Sequence, residues 1–112
     1  MKRYAMVTGI RPGKLQEYTR LHAEVWPGVL EMIRRCNIRN YSIYTVRLPD
    51  GEDYLFSYFE YLGDDFDVDM RKMAEDAETQ RWWAVCKPLL TSVVSLPPGE
   101  VWAPTKEVFH SD

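Results

Sequence analysis

The chain holds only two histidines and two cysteines among its 112 residues. Cys36 and Cys86 lie far apart in helix-like segments, and two cysteines make no disulfide framework. Neither has a CxxC partner or belongs to a Cys/His cluster of zinc spacing, so no metal site is expected and buried thiols are. The net charge is −3, with no basic block. This argues against a nucleic-acid partner, which would need a positive stripe to meet phosphates. No apolar run approaches the roughly 20 residues of a membrane span, so no membrane partner is expected either. Met1-Lys2-Arg3-Tyr4-Ala5-Met6 enters a strand-like pattern at once with no signal-peptide core after it, which points to reduced thiols in a cytoplasm. A glycine-rich phosphate loop and an elbow for a nucleophilic serine are also missing. Asp65, Asp67 and Asp69 superficially match a calcium loop. Met70 stands where the loop needs glycine and helical spacing runs through the segment, so a solvated helix start is expected.

What is present is apolar and aromatic: 46% hydrophobic and 13% aromatic residues. That composition suits a globular chain, and the length suits one domain, residues 1–112. Lys2 to Ile10 alternates as a strand, with Tyr4, Met6, Thr8 and Ile10 on one side, and Arg11-Pro12-Gly13 ends it. A helix is expected from Leu15 to Cys36. Ile38 to Val46 is β-branched and aromatic, a second strand. A Pro-Asp-Gly turn within Leu48 to Asp53 brings back a third strand, Tyr54 to Leu62, as a hairpin partner. A second helical region follows from Gly63-Asp64-Asp65, with a break near Glu78-Thr79 and a further run from Gln80 to Leu90. Thr105 to Phe109 reads as a short last strand. The order is β-α-β-β-α-β, the split βαβ arrangement of a ferredoxin-like α+β fold.

Two features stand outside plain fold-making. Strand three is apolar on both faces: Tyr54, Phe56 and Tyr58 point one way, and Leu55, Phe59 and Tyr61 the other. Helices cover one sheet face in this fold, so the other needs a cover, most simply a second copy in a homodimer packed sheet to sheet. The plainer alternative is the C-terminal tail with Val101 and Trp102. The second feature is the helical stripe Leu15, Tyr18, His22, Val25, Val29, Met32, Cys36, which carries a phenol and an imidazole where apolar side chains belong. Tyr18 and His22 sit four residues apart and should stack. Pro27 and Gly28 follow, and inside a helix they cost about 3 and about 1 kcal/mol relative to alanine.

His22 is therefore the leading chemical group, set against the plainer role of a hydrogen-bonded core histidine; His110 lies in the tail and is expected in solvent. Trp82 and Trp83 point about 100° apart on a helix, so one should line a cavity or an interface. Tyr41 and Tyr44 lie on opposite faces of strand two. Asn40 and Ser42 share the Tyr44 face and suit a dimer seam, which assigns Tyr41 to the helical side near His22. A pocket of tyrosine, tryptophan and one histidine suits a small neutral polyhydroxylated ligand: aromatic faces stack on a pyranose while phenol, indole and imidazole edges reach its hydroxyls. A histidine near its ordinary pKa of ~6.5 can give and take protons at neutral pH.

At these residues the sequence resembles the L-rhamnose mutarotase family. The shared segments are Tyr18-Thr19-Arg20-Leu21-His22, Val25-Trp26-Pro27, Asn40-Tyr41-Ser42-Ile43-Tyr44, Gln80-Arg81-Trp82-Trp83 and Glu107-Val108-Phe109, in order along nearly the whole chain. The resemblance implies a dimeric α+β barrel, a monosaccharide substrate, no cofactor, and interconversion of the α and β anomers of a 6-deoxyhexose. It also implies His22 as proton donor and Tyr18, Tyr41, Trp82 and Trp83 as sugar-binding residues. Departures at Gly28, in the hairpin Pro49 to Asp53 and in the acidic stretch Asp64 to Glu78 flank the pocket. They leave L-fucose beside L-rhamnose as substrate. A cofactor-independent oxidation of an aromatic substrate on the same fold is the other enzymatic reading, and a non-catalytic binding domain is the third.

Overall fold

The computed structural model describes residues 1–112. Strand β1 (Lys2–Ile10) is followed by helices α1 (Leu15–Ala23) and α2 (Pro27–Arg35), then β2 (Ile38–Arg47) and β3 (Asp53–Tyr61). Helices α3 (Phe66–Glu75) and α4 (Ala77–Cys86), a single 3-10 turn (Lys87–Leu89), β4 (Leu90–Thr91) and β5 (Ala103–Pro104) complete the order. All pairings are antiparallel and the sheet runs β2-β3-β1-β4, with β5 also on β1. The hairpin strand β3 thus lies between β1 and β2, the ferredoxin-like α+β arrangement expected from the order of elements.

The expected single helix from Leu15 to Cys36 is two helices. Glu24, Val25 and Trp26 separate them, and Pro27 occupies the first position of α2. A helix start leaves its first N–H groups unpaired anyway, so a proline there removes no bond and brings a preset φ. The expected cost of a mid-helix proline therefore does not arise. The stripe survives the break: Tyr18, Val29, Met32 and Cys36 are all buried.

The second helical region also divides, at Asp76 rather than at Glu78-Thr79. Asp76 ends α3 and caps α4, its carboxylate accepting from Thr79 N at 2.9 Å and Thr79 Oγ1 at 2.8 Å. One aspartate can do both because the cap position takes extended backbone. The aspartates ahead of it are not uniformly solvated, as the sequence suggested. Asp65 caps α3 by accepting from Val68 N at 3.2 Å. Asp69 is buried, 8% exposed, and accepts from Tyr61 OH at 2.5 Å and Asn37 Nδ2 at 3.0 Å. These two bonds hold its carboxyl below the usual aspartate range, and burial with the same bond pushes the Tyr61 phenol up to about 12. The network ties the start of β2 to the end of β3 and to α3.

Strand β2 contains a bulge. Arg39 pairs with Glu60 and Ser42 with Tyr58, so Asn40 and Tyr41 together face the single residue Phe59. Asn40 takes the left-handed φ of 50° that asparagine tolerates better than most residues. Strict alternation would put Ile38 and Tyr41 on opposite faces. The extra residue lets both point to the helices, and the Tyr41 ring lies 5.4 Å from that of Phe59.

The expected last strand, Thr105 to Phe109, is absent. The tail instead makes the short β5, with Ala103 opposite Val7 and Pro104 opposite Met6. Proline cannot sustain a ladder, which limits β5 to the free edge of β1. Thr8, fully buried, donates to Val101 O at 2.6 Å, and Arg3 grips Glu107 at 3.0 Å. Val101 and Trp102 pack on the core cluster of Tyr18, Trp82 and Leu55, so these two residues do not cover the outer sheet face, where Tyr44 and Phe56 stay exposed.

Pro27 supplies a test of the helix break. Pro27→Ala is expected to lower stability by about 0.4–1 kcal/mol, through greater freedom of the unfolded chain. Urea unfolding reads the sign, and a variant stabilised by ~3 kcal/mol would restore the mid-helix placement.

Candidate functional site

The site is built on the last turn of α1 and the linker behind it. Tyr18 is 5% exposed and packs with Ile10, Leu55, Trp82 and Cys86 in one core cluster. One turn later, His22 stacks on it, with ring centroids 4.0 Å apart and planes 22° from parallel. Trp82, from α4, stands edge-on to His22 at 5.1 Å and edge-on to Trp26 at 5.1 Å. Four rings from three segments of the chain therefore touch in series: Tyr18, His22, Trp82, Trp26. Trp26 stands here because the chain has left helical geometry at Glu24 and is still extended at Trp26, the N-cap of α2.

His22 is half-buried, and its Nδ1 lies 2.9 Å from the carbonyl oxygen of Tyr18. A carbonyl can only accept, so Nδ1 carries the proton. In the neutral ring Nε2 then keeps its lone pair and faces away from the helix backbone. Two effects compete for the proton affinity of the ring. Burial lowers it and the bond to Tyr18 raises it; burial is larger, and the pKa falls below the ordinary 6.5. At neutral pH His22 is a neutral base with a fixed tautomer.

Both tyrosines remain protonated. Burial, with the nearby Tyr41 phenol second, pushes the Tyr18 phenol far above its usual value of 10. Desolvation pushes Tyr41 up to about 12. Tyr41 is 42% exposed as a residue, yet its hydroxyl lies inside, close enough to disfavour ionisation of Tyr18. They can donate and accept hydrogen bonds but do not supply a phenolate. Cys86 is held as a thiol, pushed to about 11 by burial.

Of the residues singled out in the sequence, Tyr18, His22 and Trp82 are in direct contact, while the Tyr41 ring packs on Phe59 with its phenol near enough to Tyr18 to raise that group's pKa. Trp83 takes the neighbouring face of α4, as adjacent helical residues must. It makes no ring contact with His22; Lys87 Nζ sits 4.9 Å over its ring, and it lines a surface hollow of about 510 Å³ with Gln80, Gly99 and Val101. A second hollow, of about 640 Å³, lies between Arg20, Arg47 and Asp53 and does not reach His22. Tyr44 is on the outer sheet face, opposite Phe56, and His110 bonds Asp112 in the tail. Trp26 belongs to the cluster although periodicity alone placed it outside the stripe. Its signal is positional, the residue before a helix-starting proline.

The arrangement can stack a small ring compound against indole and can move a proton at Nε2. Comparison with known proteins places the chain in a family. The model of the L-rhamnose mutarotase family matches residues 3–111. L-rhamnose mutarotases of Oceanobacillus iheyensis and Bacillus subtilis are each 32% identical over 112 residues, covering all of both chains. That of Listeria monocytogenes is 34% identical over 110 residues, 98% of each chain. The crystal structure of L-rhamnose mutarotase from Formosa agariphila superposes with a TM-score of 0.76 over the full length of both chains at 21% identity, a likeness of fold. With relatives aligned end to end and the family pattern running from the first strand to the tail, the chain belongs to the L-rhamnose mutarotase family.

Proposed function

We propose that this chain, a sugar mutarotase by family, interconverts the α and β anomers of L-rhamnose, with His22 carrying the proton. The observation behind the reading is the Nδ1–H bond to Tyr18 O, which leaves Nε2 as the one unprotonated nitrogen beside an indole wall. In the proposed cycle Nε2 takes the proton of the anomeric hydroxyl. The C1–O1 bond becomes a carbonyl, the C1–O5 bond breaks with its electron pair on O5, and O5 takes the proton back from the imidazolium, while the Tyr41 hydroxyl stays protonated and can only hydrogen-bond. Rotation about C1–C2 and reclosure by the reverse steps give the other anomer. No electrons are exchanged with the surroundings, so proton transfer alone balances the reaction and no cofactor is called for. The buried Tyr18 and Trp82 rings would keep water from the open-chain aldehyde. No helix of the chain is long and apolar enough to cross a membrane. The free thiols of Cys36 and Cys86 go with a cytoplasmic place of work.

The reading extends to a homodimer. On the outer sheet face Tyr44 is 65% exposed, Val46 42% and Phe56 41%, and by register they lie side by side. Such an apolar sheet face suits a second copy better than solvent. Sedimentation at micromolar concentration is expected to give two copies, and Phe56→Glu a folded monomer; a wild-type monomer would overturn the dimer.

The reaction itself is read by exchange NMR between the anomers. L-rhamnose is expected to exchange faster than L-fucose or L-mannose. The rate should hold level above pH 6.5 and fall as the pH drops through the lowered pKa of His22, because the base is lost when Nε2 is protonated. A rate that rises with acid would contradict His22 as the resting base.

A further inference from the structure

We propose that Glu78 is a sugar-hydroxyl acceptor beside the His22 site, a carboxylate that α4 delivers to the start of α2. The proposal rests on the mutarotase reading of that site.

Helix α2 begins with no side-chain cap and no acidic residue in its first turn. Val29 N and Leu30 N already donate to Trp26 O, which leaves the Gly28 N–H and the positive end of the dipole to call for a negative group. The structure supplies one from another helix. A Cβ built on Gly28 would lie 2.2 Å from Glu78 Oε2 and 2.5 Å from Glu78 Cδ. The carboxylate therefore lies flush on the backbone of α2, in space that any other residue at position 28 would fill. Glu78 is also in the first turn of its own helix, so two helix starts converge on one side chain.

Glu78 is half-buried, and none of the chain's ion pairs includes it. Trp82 follows it by one helical turn and shares its face of α4. Trp82 in turn touches both Trp26, at the mouth of α2, and His22. The carboxylate on Gly28 thus lies two residues along the chain from Trp26 and one helical turn from Trp82, the two indoles that lead to the imidazole. Indole faces hold a sugar ring by its C–H surface and do not fix its rotation. A carboxylate can accept from two neighbouring hydroxyls at once, and charge-assisted bonds of this kind are roughly twice as strong as neutral ones. Glu78 would then set which way the ring lies and present the anomeric end to Nε2.

The test is anomer exchange against L-rhamnose concentration for Glu78→Gln, Gly28→Ala, the double variant and His22→Ala, with melting curves. Glu78→Gln keeps the shape and is expected to raise KM about 10-fold, the loss of a hydrogen bond to a charged group, with a smaller effect on kcat and melting near wild type. Gly28→Ala displaces the carboxylate and should raise KM alike, and the double variant should be no worse than either single one. A wild-type KM in Glu78→Gln, or a change confined to melting, would overturn the role for Glu78 and leave the pocket reading standing if His22→Ala is inactive. Full exchange in His22→Ala would overturn both.

Discussion

One hydrogen bond governs the chemistry available to this fold: Nδ1–H of His22 donating to the carbonyl of Tyr18, one turn back on α1. It fixes the tautomer, and so decides which nitrogen is free. With the stacking on Tyr18 and the edge contact with Trp82, it also holds the ring plane. Burial then sets the protonation state by outweighing the bond's own pull on the proton. The result is a base held ready, beside two phenols that burial keeps neutral.

The rest of the chain can be read as the means of holding that bond in place. The break after α1 ends the helix one residue after His22, and turns Trp26 toward Trp82 rather than into the next helical turn. Asp76 breaks and restarts the second helical region, so α4 leaves its cap in the direction that carries Trp82 to His22. The bulge at Asn40 turns Tyr41 inward. Each device is local and each is made by the residue type suited to it: proline at a helix start, aspartate at a cap, asparagine at a left-handed φ.

Strand order and the Tyr18–His22 stack were legible in the sequence because each rests on one period, two for strands and 3.6 for helices. What was not legible came from geometry that periods do not encode. The stripe from Leu15 to Cys36 continues through the helix break, so periodicity hid a turn that Pro27 alone could have announced. The inward placement of Tyr41 was reached by elimination, without sight of the bulge that causes it. Asp69 looked like one more solvated acid, since its partners Tyr61 and Asn37 are distant in sequence. The tail was misread because Thr105 to Phe109 has strand composition, while the edge of β1 accepts only Ala103 and Pro104. The divergence of Trp82 and Trp83 was foreseen from helix geometry; which one meets His22 required the packing of α4.

The central claim is that a single imidazole nitrogen carries the proton. Its most direct test is chemical rescue. His22→Ala should fold, lose anomer exchange on L-rhamnose by about 10²–10⁴-fold, and regain part of it, saturably, when free imidazole is added. A variant that exchanges like the wild type without imidazole would contradict the account.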